Sequence, residues 1–332
     1  MQAQIIDEFG PPSVFKKIDI PTPKLQPNHV IIQVKATSVN PVDCKIRSGQ
    51  VPEIAPHLPA ILHGDVAGVI VETGDHVNRF KPGDEVYGCA GGVKGTAGAL
   101  AEYMLADSDC LAKKPLSLSF SQAAALPLVT ITAWTALFLR AEVKASQSLL
   151  IHGGVGGVGH IGIQLAKWAG AHVIATVGSD EDVVLAHQLG AREVINFRKE
   201  TVEDYVARTT SGKGFDVIFD TVGGKNLDLS FKAAALNGTI TTTVARGEND
   251  LSPMHHKGLS LHVVFMLIPL IHNLHRKQQG QILEKAAKLV DEGHLFPLID
   301  PHVFMIDEVA KAHAYLESGK AKGKIVLTNL FG

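Results

Sequence analysis

The chain has 332 residues, more than one hydrophobic core usually organises, and at 45% hydrophobic, 19% charged and 32 glycines it has the profile of a globular protein with two cores. A formal charge of -2 leaves no basic surplus for the phosphates of a nucleic acid, and the most apolar stretch, residues 263–271, is interrupted by Pro269 and is shorter than the about 20 residues a bilayer requires. Cys44, Cys89 and Cys110 are too few and too scattered for a disulfide framework or a four-cysteine zinc lobe; with no basic-then-apolar N-terminal leader, the expectation is a cytoplasmic protein that partners neither nucleic acid nor membrane.

In chain order, residues 1–116 read as short strands and turns: Val30-Ile31-Ile32-Gln33-Val34 is β-rich, and Lys81-Pro82-Gly83-Asp84 is a tight turn before a further strand. From about Ser121 the pattern changes to helices alternating with apolar strands. Strands are predicted at 148–152, 173–176, 193–195, 215–220, 238–242 and 262–265, with helices over 159–169, 181–189 and 202–209 among them. Repeated βα units predict a parallel sheet with helices on both faces. A tail follows, with a helix over 281–290, a short strand at 296–299, a helix over 308–316 and a last strand at 324–327, expected to rejoin the first lobe. The predicted domains are 1–122, 123–272 and a return over 273–332.

Between the strand at 148–152 and its helix, Gly154, Gly156 and Gly159 satisfy G-x-G-x-x-G, and Val155, Gly157 and Val158 complete the loop. Glycines there leave a bare backbone, so a pyrophosphate can sit against amide hydrogens at the positive end of the helix. An isolated match would be a glycine-rich turn without a ligand; the strand-turn-helix setting favours a dinucleotide. Counted back from Leu189-Gly190-Ala191, the place of a ribose-binding acid in NAD-binding units is held by Val177. No carboxylate stands there to repel a 2′-phosphate, and Gly178 and Ser179 offer backbone and hydroxyl hydrogen bonds, which favours NADPH over NADH. Against this, Ser179-Asp180-Glu181-Asp182 is acidic, and Arg198, the obvious nearby cation, reads equally as an ordinary solvated side chain. Val222 and Lys324 complete the expected cofactor-binding set.

Asn40-Pro41-Val42-Asp43, Gly64-Asp65-Val66-Ala67-Gly68, Lys81-Pro82-Gly83-Asp84-Glu85-Val86-Tyr87-Gly88, Leu126-Pro127, Thr132-Ala133-Trp134 and the glycine loop occur in a familiar order. Together they resemble the zinc-independent quinone oxidoreductase and enone (alkenal) reductase branch of the medium-chain dehydrogenase/reductase superfamily, over essentially the whole chain. The resemblance implies an α/β fold: a GroES-like β-rich catalytic domain, built from both ends of the chain, with a Rossmann NADP(H)-binding domain in the middle. It also implies that no metal is used. Where zinc alcohol dehydrogenases of the superfamily carry their catalytic ligands, this chain has Asn40, Gly64 and Leu128, which cannot replace a thiolate, an imidazole and a third donor around tetrahedral zinc. His255 and His256 are adjacent but lack companion ligands.

A site without a Lewis acid suits a quinone or an α,β-unsaturated carbonyl, because hydride can add at an electron-poor carbon while charge moves onto an oxygen held by donors. The catalytic candidates are Asn40, whose amide is expected to hold that oxygen; Lys45, whose ammonium is expected to steady an enolate; and Asp43, expected to orient their loop. The plain alternatives are a turn-forming Asn before Pro41 and a solvated loop lysine. Thr132 matches a residue that in the family lies beside the nicotinamide. Rival functions are reduction of another activated alkene, such as a haloacrylate or an enoyl thioester, and a structural or regulatory NADPH-binding protein. The pocket walls, residues 50–58 and 90–99, carry no readable substrate code. The apolar last strand of the middle domain is expected to support a homodimer.

Overall fold

The structure is a computed structural model that describes residues 1–329. A ribbon opens the chain, β1 (Gln2–Ile5) antiparallel to β2 (Lys16–Asp19), over a small cluster of Ala3, Ile5 and Ala101. β3 (His29–Val39) buries Val30, Ile32, Val34 and Ala36 at alternate positions, the period a half-buried strand demands. α1 (Pro41–Arg47) begins at once, because Asn40 and Asp43 form a capping box and Pro41 brings the fixed φ suited to a first helical residue. Then come β4 (Asp65–Thr73), β5 (Glu85–Cys89), β6 (Tyr103–Asp107), β7 (Leu111–Lys113) and α2 (Phe120–Ala124).

α3 (Pro127–Trp134) leads into the second unit, which comprises residues 129–266 and 294–296. There follow β8 (Ser148–His152), α4 (Gly159–Trp168), β9 (His172–Val177), α5 (Asp180–Leu189), β10 (Glu193–Asn196), α6 (Val202–Thr210), β11 (Phe215–Asp220), α7 (Asn226–Ala233), β12 (Ala234–Thr242), α8 (Ser252–Lys257) and β13 (Ser260–Val263). The strands pair in parallel in the order β10-β9-β8-β11-β12-β13, the doubly wound dinucleotide-binding arrangement. Leu150, Ile174, Phe215, Ile218, Phe231 and Ile240 pack into one core cluster. The strand order reverses between β8 and β11, so the loops after these two strands meet where such sheets bind ligands.

α9 (Ile268–His272), α10 (Arg276–Asp291), β14 (Phe304–Met305), α11 (Val309–Glu317) and β15 (Ile325–Thr328) return to the first unit. Its sheet runs β14-β15-β3-β4-β5-β7, with β6 also on β3. β3 is long enough to be shared. Residues 29–33 pair with β6 and residues 36–39 with β15, while β4 runs along the opposite edge. Because Ile325 is paired with Val39 and Val66 with Thr37, the register gathers Lys324, Asn40 and Asp65 at neighbouring strand ends.

The first compact unit extends to Leu128 and resumes at Leu267, a few residues from the expected bounds of 122 and 273. The reason is that α2 packs on β3, β4 and β15, and the Leu128 N–H donates to Asp65 Oδ1 at 2.8 Å. The strand expected at 296–299 does not form. The Gln164 amide takes both polar groups of the Phe296 backbone at 2.9 Å, Pro297 has no N–H to give, and Ile299 makes only an isolated bridge to Lys324. No helix among the described residues is long and apolar enough to cross a membrane.

The three thiols are buried, and burial pushes all of them up, Cys44 to about 12. Since the thiolate is the reactive form, all three should be inert to a disulfide reagent in the native protein at pH 8 and all three should titrate in denaturant. A thiol that reacts within minutes under native conditions would contradict the packing described.

Candidate active site

In the first unit the site is organised by Asp65, the first residue of β4, which is fully buried. Its Oδ2 accepts from Ser38 Oγ at 2.7 Å and Asn40 Nδ2 at 2.8 Å, and its Oδ1 accepts from Leu128 N at 2.8 Å. Lys324, 2% exposed, places its ammonium 3.6 Å from Asp65 Oδ2 and donates to Val39 O at 3.1 Å and to Asn40 Oδ1. Asp43 Oδ2 accepts from the Asn40 backbone N–H at 2.8 Å. Burial raises the Asp43 carboxyl to about 7, and the neighbouring Asp65 charge adds to that rise. Burial likewise lowers Lys324, against the pull of Asp65 and Asp43.

A second polar chain runs beside the first. Thr37 Oγ1 donates to Asp65 O at 2.6 Å, so the hydroxyl oxygen is left to accept from His63 Nδ1 at 3.3 Å. His63 Nε2 then accepts from His313 Nε2 at 2.9 Å, and His313 Nδ1 accepts from the Cys44 thiol at 3.3 Å. One donor at the end thus fixes every proton along the chain. His63 has φ +71, unusual for a residue with a β-carbon, and its ring is held at both nitrogens. Burial lowers both imidazoles, His313 to about 3.

In the second unit Gly153 has φ +70, which turns the chain sharply out of β8. A β-carbon at Gly159 would come within 2.1 Å of Gly153 O, so only glycine lets α4 start this close to the turn. The amides of Val155, Gly157, Val158 and Gly159 have no backbone partner among the described residues, which leaves a set of donors at the positive end of a ten-residue helix. These residues fit a dinucleotide pyrophosphate. Thr176 holds the base of the loop, its Oγ1 meeting Gly153 N at 3.3 Å and His152 Nδ1 at 3.2 Å. His152 is lowered to about 4, chiefly by burial.

The loop after β11 is set by Asp220, fully buried, whose Oδ1 accepts from Val222 N and Gly223 N at 2.9 Å and from Asn226 Nδ2 at 3.0 Å. Val222 is thereby presented at the reversal of strand order, 53% exposed. Val177 is the last residue of β9 and is buried, so this strand end carries no charge. Gly178 and Ser179 follow, with Ser179 capping α5. Arg198 is exposed beyond β10 and, among the described residues, its guanidinium has no ion-pair partner; Lys199 beside it is held by Asp180 at 2.6 Å. Thr132 is buried in α3.

Asn40, Asp43 and Lys324 therefore lie in one network, and Lys45 lies outside it. Lys45 sits in α1 rather than on a loop, half-buried, and its ammonium makes no hydrogen bond or ion pair among the described residues. Lys324, expected among the cofactor contacts, has its ammonium committed to Val39, Asn40 and Asp65 instead, because β15 carries it to the strand ends of the first unit. The sequence reading missed Asp65, Thr176, Asp220, His63 and His313. The two loops expected to wall the pocket are tied together, Lys94 N donating to Ile54 O at 2.8 Å.

Among the described residues no three His, Cys, Asp or Glu side chains are grouped to hold a metal. At the positions where the resemblance places zinc ligands, Asn40, Gly64 and Leu128 present an amide already bonded on both sides, a glycine and an isobutyl group, a set that does not fit tetrahedral zinc.

Comparison with known proteins matches residues 26–116 to an alcohol dehydrogenase GroES-like domain and residues 189–327 to a zinc-binding dehydrogenase domain. The chain is 34% identical to quinone oxidoreductase of Sus scrofa over 98% of its length and 97% of that protein's. It is 34% identical to the NADPH-dependent alkenal/one oxidoreductase, chloroplastic, of Arabidopsis thaliana over 98% of its length and 79% of that protein's. An alcohol dehydrogenase superfamily protein from Novosphingobium aromaticivorans superimposes with a TM-score of 0.94 at 38% identity, covering 99% of both chains.

The buried histidines make stability fall in acid. The folded pKa of His313, about 3, lies below its unfolded value, so its contribution is complete above about 6.5 and is lost as pH falls towards 3, at about 1.4 kcal/mol per unit. Asp43, raised to about 7, works in the opposite sense, its contribution being complete below about 4 and lost as pH rises from there through 7. His313→Gln should therefore flatten the fall in urea stability between pH 6.5 and 4 by about one proton's slope. Parallel curves for the two proteins would show that His313 is not held neutral.

Proposed function

The chain belongs to the medium-chain dehydrogenase/reductase superfamily and is an oxidoreductase, and from that premise we propose that it passes a hydride from NADPH to quinones or α,β-unsaturated carbonyls without a metal. The observation that carries this reading is the Asp65 network. Where the resemblance places the zinc ligands, this chain has Asn40, Gly64 and Leu128, and the Asn40 amide is already satisfied by the Asp65 carboxylate on one side and the Lys324 ammonium on the other. Such a site can position a substrate oxygen by hydrogen bonding but supplies no Lewis acid.

When bound, the nicotinamide supplies the hydride. The residues that would hold it are the amides of Val155, Gly157, Val158 and Gly159 in the loop that enters α4, with Val222 beside them at the reversal of strand order. The uncharged end of β9 at Val177, the Gly178–Ser179 turn and the unpaired Arg198 favour a 2′-phosphate there. Asn40 keeps one Nδ2 hydrogen after its bond to Asp65, and that hydrogen is the donor we assign to the substrate oxygen. The half-buried, unpartnered ammonium of Lys45 is assigned to the developing enolate.

Oxidation of NADPH by a naphthoquinone and by an exocyclic enone, followed in the presence of EDTA, tests the reading. Turnover should persist through exhaustive chelation and should be faster with NADPH than with NADH. Inhibition by EDTA that zinc reverses would overturn the metal-free mechanism, and no turnover with either class would leave an NADPH-binding protein of another role. Lys45→Met should lower enone turnover by roughly 10²- to 10³-fold with NADPH affinity unchanged. Quinones yield an already stabilised aromatic oxyanion and should lose less. Equal, small losses on both classes would show that Lys45 takes no part.

A further inference from the structure

The fold alone does not account for Lys324. Burying an ammonium beside two carboxylates carries a desolvation cost that an apolar side chain of similar length would avoid. Asp65 would still have three donors without it, from Ser38, Asn40 and Leu128. What Lys324 adds is a cation on one side of the Asn40 amide, with the Asp65 carboxylate on the other.

That arrangement has one consequence no neutral neighbour would impose. Rotating the Asn40 amide by half a turn would set its NH2 against the Lys324 ammonium and its oxygen against the Asp65 carboxylate, so both contacts would become repulsive. Oδ1 and Nδ2 therefore each have one allowed place, and the direction of the remaining Nδ2 hydrogen is fixed before any substrate arrives. A donor held in place needs no reorganisation in the transition state, which is where preorganisation lowers a barrier. Asp43 closes the arrangement from the backbone side, holding the Asn40 N–H at 2.8 Å and so the position from which the side chain departs.

We propose that Lys324, with Asp65, is a positioning residue that acts through Asn40: the buried ion pair locks the amide in the one orientation that presents its free hydrogen to the substrate oxygen. The proposal rests on the reading of Asn40 as that donor. The Lys324 ammonium is committed to Val39 O, Asn40 Oδ1 and Asp65, and its effect passes through the amide.

A double-mutant cycle on the full-length protein tests it, with kcat for enone reduction, KM and NADPH affinity measured for each variant. Asn40→Ala should reduce kcat about 10²-fold, and Lys324→Met about 10-fold, both with NADPH affinity unchanged. In the Asn40→Ala background, Lys324→Met should cost nothing further, because its effect passes through the amide that is no longer there. Losses that multiply, or an unchanged kcat in Lys324→Met, would overturn the proposal while leaving Asn40 as the donor. An unchanged kcat in Asn40→Ala would remove the reading beneath it and the proposal together. If Lys324→Met leaves too much buried negative charge to fold, the neutral pair Asp65→Asn/Lys324→Met is carried through the same cycle with the same outcomes expected.

Discussion

A single buried carboxylate, Asp65, ties together the first unit of this molecule. It joins four parts of the chain that are remote in sequence: the end of β3 through Ser38, the cap of α1 through Asn40, the start of α3 through the Leu128 amide, and the approach to β15 through Lys324. A buried charge is tolerated only where hydrogen-bond donors surround it. The sheet register brings them there, since β3 is paired on one edge by β4 and on the other by β15 within the same few residues. The Asp65 carbonyl also receives Thr37, which starts the proton order of the His63, His313 and Cys44 chain and ties α11 to the same point.

The second unit uses the same device. Asp220 ends β11 as a buried carboxylate and gathers the amides of Val222 and Gly223 with Asn226 and Ser230, so the loop at the reversal of strand order has one shape. Thr176 at the end of β9 does the corresponding work for the glycine loop after β8. In each unit a buried carboxylate holds amides in place: the Asn40 side chain in the first, the Val222 and Gly223 backbone in the second.

Much of this was legible from local pattern. The glycine loop, the αβ alternation and the helices α5 and α6 were readable because their signals lie within a few residues: a period of 3.6, a cap, a turn glycine. The pairing of Lys324 with Asn40 spans 284 residues and that of His63 with His313 spans 250, and no spacing rule reaches across such distances. Lys324 accordingly reads as a cofactor contact in sequence, and only the register of β15 on β3 shows its ammonium committed to Val39, Asn40 and Asp65. Asp65 lay inside a quoted motif and still went unassigned, since its role comes from its partners and not from its type. The strand expected at 296–299 failed for the same reason, because the Gln164 side chain takes the backbone groups a neighbouring strand would have used.

The most direct test of hydride transfer to a conjugated carbon is to follow the label. With NADPH deuterated at the reactive face of C4 and an exocyclic enone as acceptor, one deuterium should appear at the β-carbon of the saturated ketone, and the α-carbon should take its hydrogen from solvent. Deuterium at the carbonyl carbon of an alcohol product, or a product with none, would contradict the account.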